Sequence, residues 1–249
     1  MMLLAAALDD DRIVVGSPPP PITPATIMGA NTVAWWRADL GVTIGTGVSQ
    51  WSDQSGNGFH LAQGTGANQP TFEASGGPNS TPSILFDGSN DRLINAAIDR
   101  PAPATTPTII WMVVSQVTWT NGDRICGFGA AASHMSLTQN PVTPQWRMLN
   151  TVLVNTNAAL TIGAWGRVEA GFLGTTSDYL KIIATNVAAG TSAGNTDPAA
   201  GFSLGTDPVG GLPGNFRISD LAIFDAQPSG AQTTDLDAYV TARYGAGLV

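Results

Sequence analysis

Trp51-Ser-Asp-Gln-Ser-Gly-Asn-Gly-Phe-His-Leu61, answered downstream by Ile84-Leu-Phe-Asp-Gly-Ser-Asn-Asp-Arg-Leu93, is the part of the chain that decides its fold. Each stretch runs from an aromatic or aliphatic strand end into a tight polar turn. Gly56, Gly58 and Gly88 can take positive φ without steric cost, and Asn57, Asn90, Asp87 and Asp91 tolerate or promote such turns. The pattern is one of strands and turns, and it extends on both sides.

Val33-Ala-Trp-Trp36 reads as a first strand, with Trp35 and Trp36 on opposite faces because side chains alternate. Thr108-Ile-Ile-Trp-Met-Val-Val114 is a continuous apolar run after Pro107, rich in β-branched residues, and predicts a strand buried on both faces. Trp165–Leu173 and Asp178–Ala184, separated by a turn, predict a hairpin. In Asn215–Asp225, Phe216 and Ile218 share one phase while Leu221 and Ile223 take the other, so a bulge is expected near Ser219–Asp220. A single helix closes the chain. Ser229 and Gln232 fit a capping box, Leu236, Tyr239, Val240 and Arg243 follow at helical spacing, and Gly245 is the expected stop. Its apolar side is expected across one end of the sandwich, and Asn186–Gly201 is expected as a long loop.

Four of these features together resemble the concanavalin A-like (laminin-G-like) family over residues 32–246. They are the Trp51–Leu61 turn, the Phe86–Leu93 turn, the Trp165 strand with its hairpin, and the ending from Phe216 through Pro228 and a helix to Tyr244-Gly245. That ending looks like the finish of many bacterial and phage members. The resemblance implies an all-β fold, a jelly-roll sandwich of two antiparallel sheets. It also implies a concave face and rim loops of the kind that bind sugars or proteins. Residues 31–249 form this domain in our reading, preceded by an extended N-terminal arm over residues 1–30.

The arm is read from Ser17-Pro-Pro-Pro-Pro-Ile-Thr-Pro24, which holds five prolines and predicts polyproline II, a semi-rigid spacer. Ahead of it lies an apolar patch. Met1, Leu3, Leu4, Leu8, Ile13, Val14, Val15 and Pro18, Pro19, Pro20 and Pro21 are the residues expected to anchor a partner. The opening lacks a basic segment and runs into Asp9-Asp10-Asp11, so it does not read as a signal peptide.

Composition narrows the function. Charged residues are 11% of the chain against ~25% in typical soluble domains, and 43% are apolar. The net charge is −8, Lys181 is the only lysine and the arginines are scattered, which argues against nucleic acid and an anionic membrane as partners. Cys126 is the one cysteine, so no internal disulfide forms, and it reads as a buried small hydrophobe. His60 and His134 belong to no recognisable triad or zinc motif. Glu73 and Glu169 are the only glutamates and lie far apart, whereas a glycosidase needs two carboxyl groups roughly 5 to 9.5 Å apart. No enzyme activity is therefore expected.

Two weaker signals concern ligands. Asp53, Asn57, Asp87, Asn90 and Asp91 could offer oxygens to calcium if the fold joined their turns, although such side chains also cap turns without a metal. No other cofactor is expected. Of the seven tryptophans, Trp119 and Trp146 lie near turn signals and are expected to be the most exposed, hence candidates for stacking on a sugar. These readings converge on a non-enzymatic virion structural protein of a tailed bacteriophage, a capsid decoration, head-fibre or tail-surface component. Its arm would dock on other virion proteins at the particle surface, with self-association and a host surface glycan as further partners. The alternative is a lectin-like carbohydrate-binding module of a bacterial surface or secreted protein.

Overall fold

The structure, a computed structural model, describes residues 21–101, 105–119, 122–129, 135–140, 145–150, 152–155, 160–174, 177–182, 185–191, 199–207 and 210–248. Its α-helices among the described residues are α1 (Pro24–Met28) and, near the C-terminus, α2 (Gly230–Tyr244). Between them run β1 (Thr32–Arg37), β2 (Val42–Ile44), β3 (Val48–Trp51), β4 (Leu61–Ala62), β5 (Thr71–Glu73), β6 (Ser83–Asp87), β7 (Leu93–Arg100), β8 (Thr108–Gln116) and β9 (Arg124–Phe128). There follow β10 (Ser136–Gln139), β11 (Trp146–Asn150), β12 (Val152–Asn155), β13 (Trp165–Phe172), β14 (Ser177–Ile182), β15 (Thr185–Thr191), β16 (Ala199–Leu204) and β17 (Asn215–Phe224).

These strands make an all-β sandwich of two antiparallel sheets. The first runs β15-β14-β13-β8-β17-β6-β5, with β1 also paired to β17, and the second runs β12-β11-β10-β9-β16-β7-β4-β3-β2. Between them lies the main core. Trp36, Phe86, Ile110 and Met112 enter it from the first sheet, and Trp51, Leu61, Phe128, Leu137 and Phe202 from the second. Trp36 stacks on Phe202 across the gap, with ring centroids 6.1 Å apart, and Phe86 stacks on Phe216 at 4.7 Å. Each such side chain contributes about 1.5–3 kcal/mol by leaving water.

A second apolar core covers the outer face of the first sheet. Trp35, Trp111, Val113 and Phe224 rise from the strands to meet Leu236, Tyr239, Val240 and Tyr244 of α2, with Met28 of α1 at the margin. This is why β8 is buried along its whole length. Trp35 and Trp36 lie in different cores, as alternation requires. The helix begins and ends where its capping signals place it: Ser229 and Gln232 form a reciprocal capping box, and Gly245 follows Tyr244 at φ 96°. It lies along the sheet face, however, and not across an end of the sandwich, because β1, β8 and β17 all present apolar side chains there.

The bulge in β17 is present, as a shift of register against β8 between Ile218 and Asp220. One extra residue returns Leu221 and Ile223 to the main core and turns Asp220 toward α2. Two expectations need correction. The stretch expected as a loop over 186–201 contains most of β15 and the start of β16; backbone pairing with β14, β7 and β9 forms these strands despite their alanine and glycine content. Extended chain to residue 30 also does not hold, because Pro24–Met28 is helical. Proline at its start and a capping box between Thr23 and Thr26 favour that turn. Met1, Leu3, Leu4, Leu8, Ile13, Val14, Val15, Pro18, Pro19 and Pro20 lie outside the described residues; Pro21 is exposed.

Candidate functional site

The helices occupy one outer face of the sandwich, which directs attention to the other. On β9, β10 and β11, Cys126, Leu137 and Met148 are register partners that point into the core. Their neighbours must then point outward. Thr138 pairs with Arg147 on one side and Arg124 on the other, so Arg147, Thr138 and Arg124 form one row across three strands. A bulge makes this row. Between Leu137 and Thr138 the register against β9 skips one residue, so Ile125 and Cys126 both enter the core and Arg124 is aimed outward.

In the next row Ser136 pairs with Gly127, and Gly127 with Ser203. Glycine is required at 127, since a Cβ there would stand 2.9 Å from that of Ser136, and Leu149 continues the row beyond Ser136. The arginines close over this floor. Arg147 Nε donates to Thr138 Oγ1 at 2.9 Å, and Arg124 Nη1 donates to Ser136 Oγ. Ser136, Thr138 and Ser203 are buried, Arg124 is buried and Arg147 half-buried.

The segment after β16 borders the row. The Arg124 amide donates to the Leu212 carbonyl at 2.8 Å, and Asp207 closes a tight turn by accepting from the Gly211 amide at 2.6 Å. Leu212 is 44% exposed at φ 52°, a left-handed conformation that costs a bulky residue. Burial lowers the Arg124 pKa, Asp207 offsets part of that, and Arg147 adds to it. Burial lowers the Arg147 pKa as well. The site is thus two guanidinium groups and a set of hydroxyls fixed on rigid strands, with the Asp207 carboxylate at the edge.

The residues singled out in the sequence lie elsewhere. Trp146 is fully buried in the main core, which corrects the expectation of exposure: its register partner Gln139 and its neighbour-but-one Met148 face inward too. Trp119 is half-buried against the same core. Asp53 accepts from the amides of Trp35 (3.0 Å), Ser55 (2.9 Å) and Phe59 (3.1 Å), while Asn57 Nδ2 donates to the carbonyls of Thr32 and Val33. Asp87 accepts from the Ser89 amide and Asp91 from the Asp87 amide, and Asn90 is exposed. These turns use their carboxylates on their own backbone, and among the described residues no group of three or more His, Cys, Asp or Glu is placed to hold a metal.

The two glutamates are also committed. Glu73 receives two hydrogen bonds from Arg217, at 2.8 and 3.2 Å, and Glu169 is fully buried, accepting from Tyr179 at 2.7 Å and Lys181 at 3.2 Å. Cys126 is buried, which pushes its thiol pKa up and removes it as a nucleophile. His60 accepts from the Asp53 amide through Nδ1 at 3.1 Å; His134 lies outside the described residues. A cleft of about 580 Å³ opens beside α2 between Arg37, Tyr239 and Arg243. Its cations are already paired, since both arginines close on Asp39 at 2.6 Å.

No family model and no curated protein sequence matches the chain. Solved structures do. Trypanosoma rangeli sialidase in complex with sialic acid superposes with a TM-score of 0.63 at 14% identity, over 90% of this chain and 36% of the sialidase. A GH54 α-L-arabinofuranosidase soaked with a cyclic sulfate inhibitor gives 0.59 at 11% identity, over 80% of this chain and 50% of the enzyme. Domain 4 of AbnA, a GH43 extracellular arabinanase from Geobacillus stearothermophilus, in complex with arabinotriose gives 0.55 at 14% identity, over 83% of this chain and 98% of the domain. The chain spans about a third of the sialidases, and at these identities the likeness establishes the fold. It nevertheless overturns two expectations drawn from the sequence. The fold is one found in carbohydrate-active proteins, enzymes among them, so neither the non-enzymatic virion role nor the exclusion of catalysis stands. The shortage of local carboxylate motifs had suggested both, and motifs of that kind do not report sites assembled from distant strands.

Proposed function

We propose that this chain is a concanavalin A-like carbohydrate-recognition domain that seats a saccharide on the outer face of its second sheet, over Arg147, Thr138 and Arg124. The row itself carries this reading. It holds the half-buried Arg147 guanidinium through the buried Thr138 hydroxyl of a rigid neighbouring strand, an arrangement that presents fixed donors to a polyhydroxylated ligand. The opposite outer face is filled by α2 and the margin of α1. Leu212, apolar and exposed beside the row, offers a surface for the face of a sugar ring. The arabinotriose complex of AbnA Domain 4, whose length the chain matches almost completely, supports the idea that a sandwich of this size can hold an oligosaccharide.

The test is affinity electrophoresis of the whole chain through gels containing arabinan, dextran, polygalacturonate or dextran sulfate, with reducing-sugar release followed in parallel. Retardation by at least one polysaccharide is expected. Thr138→Val, which keeps the shape of the side chain but removes the hydroxyl that positions Arg147, should weaken it about tenfold, the equivalent of one hydrogen bond to a charged group. Unretarded migration in every gel would reject the reading.

A further inference from the structure

The row is cationic in a chain whose net charge is −8. Arg147 and Arg124 stand on strands either side of β10, so two strand spacings of ~4.8 Å put their Cα atoms roughly 10 Å apart, within reach of one small group between the side chains. The two charges repel, and each loses solvation where it lies. Such an arrangement is costly unless countercharge is supplied. At Arg124, Asp207 supplies it.

Arg147 differs from four other arginines of the chain. Arg37, Arg167, Arg217 and Arg243 each close on a carboxylate. Among the described residues Arg147 makes no ion pair, and its bond to Thr138 uses Nε. Among the described residues nothing bonds its two Nη groups, and a guanidinium binds a carboxylate or a sulfate through parallel N–H donors. We infer that the saccharide is anionic, carrying a carboxylate or sulfate that Arg147 clamps beside Arg124. This rests on the carbohydrate reading above and names its ligand class. The overall negative charge does not oppose it at contact: the Debye length is about 8 Å in physiological salt, so distant carboxylates are screened while the clamp is not.

The experiment uses the whole chain at about 0.15 M salt and matched ligands: polygalacturonate against its methyl ester for the carboxylate, dextran sulfate against dextran for the sulfate. At least tenfold tighter binding to the charged member of one pair is expected. Arg147→Gln should abolish that preference with an unchanged melting temperature. Arg147→Lys, which keeps the charge and loses the fork, should retain part of it, and serves as the variant to read should Arg147→Gln fold poorly. Equal binding of charged and neutral members, or a preference that survives both substitutions, overturns the anionic class and leaves saccharide recognition standing. Absence of binding to all four, and to neutral arabinan, overturns both.

Discussion

Asp220 is fully buried between β17 and α2, and three donors converge on it: Trp35 Nε1 at 2.7 Å, Tyr239 Oη at 2.5 Å and Tyr244 Oη at 3.0 Å. Burial raises its pKa to about 6 although those donors favour the ionised form. Asp91 is raised to about 6 as well, by burial and by the Asp87 carboxylate, against the hydrogen bond from the Asp87 amide. Both folded values lie above the unfolded value of 3.8, so the native state takes up protons between about pH 6 and 4. Stability should therefore rise as pH falls from 7 toward 5. Below about pH 4 it should fall, because Asp39 and Glu73, held below their ordinary values by arginine partners despite burial, then lose their pairs. Melting temperatures at pH 7, 5 and 3.5 check this, and Asp220→Asn should flatten the rise between 7 and 5. Asp220→Ala orphans three buried donors and should cost about 3 kcal/mol or more. A second residue-level prediction concerns Leu212. Its left-handed backbone costs about 1–2 kcal/mol, and glycine returns part of that as chain entropy, so Leu212→Gly should raise the melting temperature by roughly 1–3 °C.

At the scale of elements, two bulges and one capping box decide the geometry. The bulge of β17 turns Asp220 toward α2, and that of β9 turns Arg124 to the outer face. The capping box fixes the start of α2, and Gln232 Nε2 also reaches the Ile27 carbonyl at 3.2 Å, tying α2 to α1. Ser229→Ala should cost about 1 kcal/mol, seen as a fall of roughly 2–4 °C in melting temperature. Much of this was legible in the sequence. The mismatch between Phe216, Ile218 and Leu221, Ile223 reveals the first bulge, and Ser229 with Gln232 reveals the cap. The arginine row was not legible, because Arg124 and Arg147 lie far apart and meet only through strand register. In Arg-Ile-Cys-Gly-Phe, Ile125 stands out of phase with Cys126 and Phe128, but a single residue on that side reads equally as an ordinary outward-facing position. Trp146 was misread for the opposite reason: nearby turn residues outweighed its alternation with Met148, which places it inside.

At the scale of the molecule, the sandwich has two outer faces with different fates. One carries a second apolar row and is closed by helices; the other carries arginines, hydroxyls and glycine, the seat proposed for a saccharide. This division explains why absences in the sequence misled. Missing glutamate pairs and histidine motifs describe local patterns, while the polar face is built from β9, β10, β11 and β16, gathered from across the second half of the chain. It also sets the most direct test of the account. Amide chemical shifts of the ¹⁵N-labelled chain, followed during titration with the polysaccharide fragment that retards it most, should change on β9, β10, β11 and around Leu212 and stay fixed on α2 and β1. Shifts centred on α2 and β1, or none on the arginine row at saturation, would contradict it.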